Sequence, residues 1–181
     1  YFPFLNPCNI ILKLYNYDIR KRDIMQTPKL AVTIPCYNEA LCVESTCKRL
    51  LEVLNLLAEK GKISQDSYLY LVDDGSSDNT WEIIEQLHNS YPERIKALKF
   101  IRNYGNQKAL VAGLEGVREL GCDCVVSIDA DLQQDENSIE DFVDAFSEGD
   151  DVVLGVRNDR KDDSFFKKST AVLFYKLMNL L

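Results

Sequence analysis

From Lys29 onward, short apolar runs alternate with longer amphipathic stretches, and the alternation repeats five times. The runs are KLAVTIP, SYLYLVDDGS, RIKALKFIRN, CDCVVSIDAD and DDVVLGVR, each short enough for a strand and bounded by turn residues. Between them, NEALCVESTCKRLLEVLNLLAEKG, SDNTWEIIEQLHNSYP, NQKALVAGLEGVRELG and NSIEDFVDAFSEG carry apolar residues at helical spacing. Asn38 is the expected N-cap of the first helix and Gly61 its stop, while Asn79 and Glu82 offer a capping box for the second. Strand and helix alternating in this way predict an α/β domain, with a mostly parallel sheet covered by helices on both faces. The 181 residues suffice for one such domain with a real core.

Parallel strands end at one edge of their sheet, and ligands of open α/β sheets bind beyond those ends. Here the first strand runs into Pro35, Tyr37, Asn38 and Glu39, the second into Asp73 and Asp74, the fourth into Asp129 and Asp131, and the fifth into Arg157. In extended backbone, residues two apart share a side at roughly 6.5–7 Å, so Asp129 and Asp131 face together while Ala130 turns away. At an effective dielectric near 20, two such charges repel by about 2.5 kcal/mol. Nothing structural in the sequence offsets that repulsion, whereas a divalent cation would. An all-oxygen donor set without histidine suits Mg²⁺ or Mn²⁺, which one or two carboxylates hold together with substrate phosphates. The plainer reading, one aspartate capping the next helix and the other solvated, fits an isolated pair better than one matched by a second acidic pair on another strand. VDDGSSDNT also reads as a turn followed by a cap, which would leave Asp73 and Asp74 free for a ligand.

Other classes are disfavoured. A formal net charge of -8 argues against a nucleic-acid partner. No GxGxxG follows a strand and no GxxxxGK[ST] occurs, so neither a dinucleotide fingerprint nor a P-loop is present. His88 is the sole histidine, expected on the surface or with its bonding satisfied, which excludes a Ser/His/Asp triad. The six cysteines (Cys8, Cys36, Cys42, Cys47, Cys122, Cys124) form no CxxC pair, and they read as reduced structural thiols of a cytosolic protein. A phospho-acceptor signalling domain also gathers aspartates at strand ends, but it needs an acidic pair after its first strand and a lysine after its last. This chain has PCYNE and VR there. No run of eighteen apolar residues exists, and the opening YFPFLNPCNIILKLYNYDIRKRD lacks the design of a signal peptide. With Met25 as a candidate natural start, residues 1–28 are expected to be an extension outside the core fold, and residues 29–181 the domain.

TIPCYNEA, LVDDGSSDNT, NYGNQKALVAGL, SIDADLQQ and VLGVR, in this order, resemble the family 2 glycosyltransferases of the GT-A fold, and within them the polyprenyl-phosphate group. The resemblance spans residues 29–181. It implies a nucleotide-contacting loop at Pro35, Tyr37 and Glu39, and a base site at Val72 and Asp74. It further implies a metal and sugar-diphosphate segment at Asp129, Ala130 and Asp131, a polar contact at Gln133, and a cation near the donor phosphates at Arg157. Catalytic roles thereby fall to Asp129, Asp131 and Arg157, and metal ligation to Asp129 and Asp131.

The implied reaction moves a hexose from a nucleotide diphosphate sugar, UDP- or GDP-linked, to a polyprenyl phosphate with inversion. Base, sugar and acceptor identity are left open. Two alternatives are a relative acting on a saccharide hydroxyl in cell-surface polysaccharide synthesis, and a non-catalytic nucleotide-binding relative. Members of the group continue past FFKKSTAVLFYKLMN, so the domain is expected to be truncated at its C-terminus. The same segment, with Phe165, Leu173 and Leu177 beside Lys167, Lys168 and Lys176, suits a helix at an anionic membrane or one that has lost its covering partner. Either way it offers an apolar patch for a homo-oligomer. The expected location is the cytoplasmic face of a membrane.

Overall fold

A computed structural model describes residues 9–13, 27–131 and 136–155. In chain order the elements are β1 (Asn9–Lys13), β2 (Leu30–Cys36), α1 (Val43–Glu59), β3 (Tyr68–Asp73), α2 (Thr80–Ser90), β4 (Ile95–Lys99), α3 (Asn106–Glu119), β5 (Cys124–Ser127), α4 (Ser138–Glu148) and β6 (Val152–Gly155). They build one six-stranded sheet in the order β4-β3-β2-β5-β1-β6. Strands β4, β3, β2 and β5 are parallel, as the alternating pattern requires, and β1 runs antiparallel to both of its neighbours.

Strand β1 corrects the expectation that residues 1–28 stand outside the fold. Its backbone lies between β5 and β6 and pairs with both, so two sheet edges that would carry unpaired N–H and C=O groups are closed. The sequence signal for this strand is Ile10, Ile11 and Leu12 within NIILK.

Both faces of the sheet are covered. Leu50, Leu54 and Leu57 of α1, Ile84 of α2, and Ile139, Phe142 and Val143 of α4 pack on Leu30, Val32, Ile34, Leu69, Leu71 and Val126. Helix α3 covers the other face, with Ala109 and Val117 against Ala31, Tyr68, Tyr70, Val72 and Val125. It sits low because of two glycines. A Cβ on Gly113 would lie 2.2 Å from the Thr33 hydroxyl, and one on Gly116 2.3 Å from the Tyr70 hydroxyl. Among the described residues, no helix is long and apolar enough to cross a membrane.

Strand order decides where the site lies. From β2 the chain steps outward to β3 and β4, then returns past β2 to place β5 on its other side. The connections leave β2 and β5 in opposite directions, which opens a crevice at their C-terminal ends. The β2–β5 register ends at Thr33 with Ser127, extended by Ile128 N–H to the Thr33 carbonyl at 3.1 Å. On the other side β2 stays paired with β3 through Cys36 and Asp73.

Candidate donor-binding site

The crevice is a cleft of about 290 Å³ lined by Pro35, Cys36, Tyr37 and Glu39 from the end of β2, Asp74 just after β3, Asn103 and Gly105 from the β4–α3 loop, Asn106 at the start of α3, and Asp129, Ala130 and Asp131 from the end of β5. It brings together seven of the residues expected from the sequence. Val72 is not among them: it is fully buried in the α3-side core. Gln133 and Arg157 lie outside the described residues, as does the segment after β6.

The acidic segment adopts the expected facing pattern. Asp129 and Asp131 are exposed at the cleft, while Ala130 is 2% exposed with its side chain in the core. The residue between the acids is therefore the anchor that aims them.

Asp73 and Asp74 behave differently from the expectation that both are free. The carboxylate of Asp74 accepts the Tyr104 N–H at 2.7 Å and the Gly105 N–H at 2.9 Å. It thus holds the β4–α3 loop against β3 while still facing the cleft. Asp73 is fully buried; its Oδ1 accepts the Ser76 N–H at 3.3 Å, and its Oδ2 has no partner among the described residues. Gly75 follows with φ +66°, and a Cβ there would stand 2.3 Å from the Arg102 carbonyl carbon. Only glycine fits this crossing of two loops.

The caps also differ from those expected. Asn38 takes φ +56° in a turn, and α1 begins only at Val43. The Asn38 Oδ1 accepts the Ser77 N–H at 2.9 Å, and the Asn38 N–H donates to Ser76 Oγ at 2.9 Å. Asn79 makes no side-chain capping bond; instead Asp78 accepts the Thr80 N–H at 3.0 Å and the Thr80 hydroxyl at 2.5 Å. The other Asp78 oxygen accepts the Ala40 N–H at 3.2 Å. Slight burial works upward on the Asp78 carboxyl, but the bonds from Thr80 and Ala40 outweigh it and hold the group below its ordinary value.

Glu39 is fixed by its N–H on Thr80 Oγ1 at 2.8 Å, and its carboxylate accepts the Cys42 thiol at 3.0 Å. Burial, the bond to Glu39 and the charges of Glu39 and Asp131 push the Cys42 thiol up to about 12. Cys36, Cys42, Cys47, Cys122 and Cys124 are free thiols, as read from the sequence. His88 is satisfied, its Nδ1 donating to the Ile95 carbonyl at 2.7 Å.

Asn103, Gly105 and Asn106 were not singled out from the sequence, although NYGNQKALVAGL was. They follow the third predicted strand, so the strand-end logic that flagged the acids applied to them equally. Beside them, the Tyr104 ring meets the Arg102 guanidinium at 4.8 Å and the Lys108 ammonium at 5.4 Å, with Phe100 edge-on at 5.5 Å.

Among the described residues the lining holds four carboxylates and no lysine or arginine. Its donor chemistry is all oxygen at Glu39, Asp129 and Asp131, which fits a hard divalent ion. No three acidic, histidine or cysteine residues converge to cage a metal among the described residues. The arrangement therefore suits an ion whose coordination is completed by phosphate and water.

The profile of glycosyl transferase family 2 matches residues 31–180, and the chain belongs to that family. It is 46% identical over 156 residues to the uncharacterized glycosyltransferase YkoT of Bacillus subtilis, covering 85% of this chain and 45% of that protein. It is also 36% identical over 143 residues to the undecaprenyl-phosphate 4-deoxy-4-formamido-L-arabinose transferase of Proteus mirabilis, covering 79% and 41% respectively. Among solved structures, the mannosyltransferase PcManGT from Pyrobaculum calidifontis in complex with GDP-Man and Mn²⁺ is similar at 22% identity and a TM-score of 0.48, covering 69% of this chain and 33% of that one. The chain spans under half the length of these curated relatives.

Proposed function

We propose that this chain forms the donor-binding part of an inverting hexosyltransferase that uses a UDP- or GDP-linked sugar and a polyprenyl-phosphate acceptor at the cytoplasmic face of a membrane. The observation that carries the reading is the acid-lined cleft at the β2–β5 switch point. A nucleoside diphosphate is itself anionic and enters such a cleft only with a cation. The acceptor class is supported by the likeness to an undecaprenyl-phosphate transferase.

In this reading Asp129 and Asp131 would hold Mg²⁺ or Mn²⁺, which when bound supplies Lewis-acid charge at the leaving diphosphate. The protein's own part is positioning. Pro35 and Tyr37 form one wall for the nucleoside, and Asp74, with lone pairs left beside its two loop bonds, faces the base. Asn103 and Asn106 add amide groups able to donate and accept along the cleft. Gln133 and Arg157 would complete the phosphate side. A phosphate acceptor is anionic at neutral pH, so it needs no strong general base, and rate enhancement rests on orientation and electrostatics.

Thermal unfolding with UDP, GDP and dTDP, each with Mn²⁺, Mg²⁺ or EDTA, tests the reading. Ligand at a hundred times its dissociation constant adds about 2.7 kcal/mol. A rise in Tm with one nucleotide that EDTA abolishes is the expected result. No rise with any nucleotide and metal would defeat it.

A further inference from the structure

The two cleft acids sit on a turn that leaves the sheet after Ile128, and α1 is what holds that turn. Thr46, in the first turn of α1 and 1% exposed, donates its hydroxyl to the Ala130 carbonyl at 2.6 Å across 84 positions of sequence. A helical threonine commonly bonds back to a carbonyl of its own preceding turn; this hydroxyl reaches across to another segment. One turn on, and on the same side of the helix, Arg49 pairs with Glu136, just ahead of α4. Helix α1 therefore contacts the chain at Ala130 and again at Glu136. Residue 130 is held twice, by its methyl in the core with Ile128 and Ile139 and by its carbonyl on Thr46. With that residue fixed, its neighbours Asp129 and Asp131 are left facing the cleft.

We propose that Thr46 is a positioning residue for the metal-and-diphosphate end of the donor site. Its hydroxyl, by holding the Ala130 carbonyl, sets the direction and separation of the Asp129 and Asp131 carboxylates. The inference rests on reading the cleft as a metal-dependent donor site. Removing a group that holds metal-ligating side chains in place typically weakens metal affinity about 10–100-fold. Thr46→Val keeps the shape of the side chain but strips the Ala130 carbonyl of its donor, whereas Thr46→Ser keeps the hydroxyl.

The test is calorimetric titration of UDP and GDP into the 181-residue chain across a series of Mn²⁺ concentrations. The quantity read is the Mn²⁺ concentration that half-saturates nucleotide binding. Thr46→Val should raise it about 10–100-fold, and Thr46→Ser should return it to the wild-type value. Leu87→Ala, in the core beneath α2 and away from the cleft, should lower stability without moving it. Should the valine variant fail to fold, Thr46→Ala removes the same hydroxyl without crowding and gives the same reading. An unchanged Mn²⁺ requirement in the hydroxyl-free variants, or a serine variant as impaired as they are, overturns the positioning role and leaves the donor-site reading intact. A wild-type chain that binds neither nucleotide in Mn²⁺ overturns the donor-site reading, and the role of Thr46 falls with it.

Discussion

The two walls of the cleft are held by different means. On the β3–β4 side, three loops are stitched to one another by side-chain-to-backbone bonds. Asp74 fastens Tyr104 and Gly105, Asp78 fastens Ala40 and Thr80, Asn38 fastens Ser77, and Gly75 lets the Arg102 backbone pass at close range. On the β5 side, the acids depend on the Ile128–Thr33 bond, a buried methyl and the hydroxyl of Thr46. The first wall is built into the fold and needs nothing from a ligand. The second presents Asp129 and Asp131 to the cleft, where the proposed cation would bind. In the proposed reading the tasks are separated, with a rigid wall for the nucleoside and a charged wall that a metal and diphosphate would complete.

The comparison can be broken most severely at the loop crossing. Gly75→Ala places a Cβ against the Arg102 backbone at φ +66°, and should destabilise the chain by about 3 kcal/mol or more, since the left-handed conformation alone accounts for roughly 1–2 kcal/mol. Urea unfolding measures it, and a loss below that of an ordinary surface substitution would show that the walls are not stitched as described. Next, Asp74→Asn replaces one accepting oxygen by an N–H that faces a loop N–H. It should remove about 1.5–3 kcal/mol of stability, with nucleotide affinity falling as the loop loosens. Equal stability of mutant and wild type would mean the loop is held by something else.

A smaller effect sharpens the comparison by pH. The carboxyl of Asp78 lies below its ordinary value in the folded chain, so the unfolded chain binds its proton first as pH falls. Its contribution is complete above the ordinary aspartate range and disappears as pH drops through the folded value. Acid unfolding of Asp78→Asn should therefore show a shallower loss of stability below about pH 4 than the wild type, and parallel curves would contradict the role. The smallest effect belongs to the surface pairs between the turn after α1 and α4. Lys62→Met, which breaks contacts to Glu140 and Asp144, should change stability by no more than about 1 kcal/mol. A larger loss would mean that α4 is fastened from the surface rather than through Ile139 and Val143.

Much of this architecture was legible in the sequence because its signals are local. The apolar runs of β2, β3 and β5 carry their own period, and carboxylates at strand ends follow from parallel topology alone. What escaped was decided by partners far along the chain. Thr46 reads as an ordinary helix-interior threonine until Ala130 is placed beside it. Asn38 has the chemistry of a cap, but its positive φ puts it in a turn bonded to Ser77. Asp74 shows only its charge in the sequence, and its two loop bonds depend on where Tyr104 and Gly105 arrive. Strand β1 is obscured for a similar reason, since three apolar residues in a five-residue run declare a strand only when an open edge awaits them.

The central claim is that the β5 acids make nucleotide binding depend on a divalent cation. The most direct measurement is the affinity of the chain for UDP and GDP with Mn²⁺ and with EDTA, in the wild type and in Asp131→Asn. Tight binding of one nucleotide by the wild type only with Mn²⁺, lost in Asp131→Asn while the fold is retained, is the predicted result. Nucleotide binding that is indifferent to both EDTA and Asp131→Asn would contradict it.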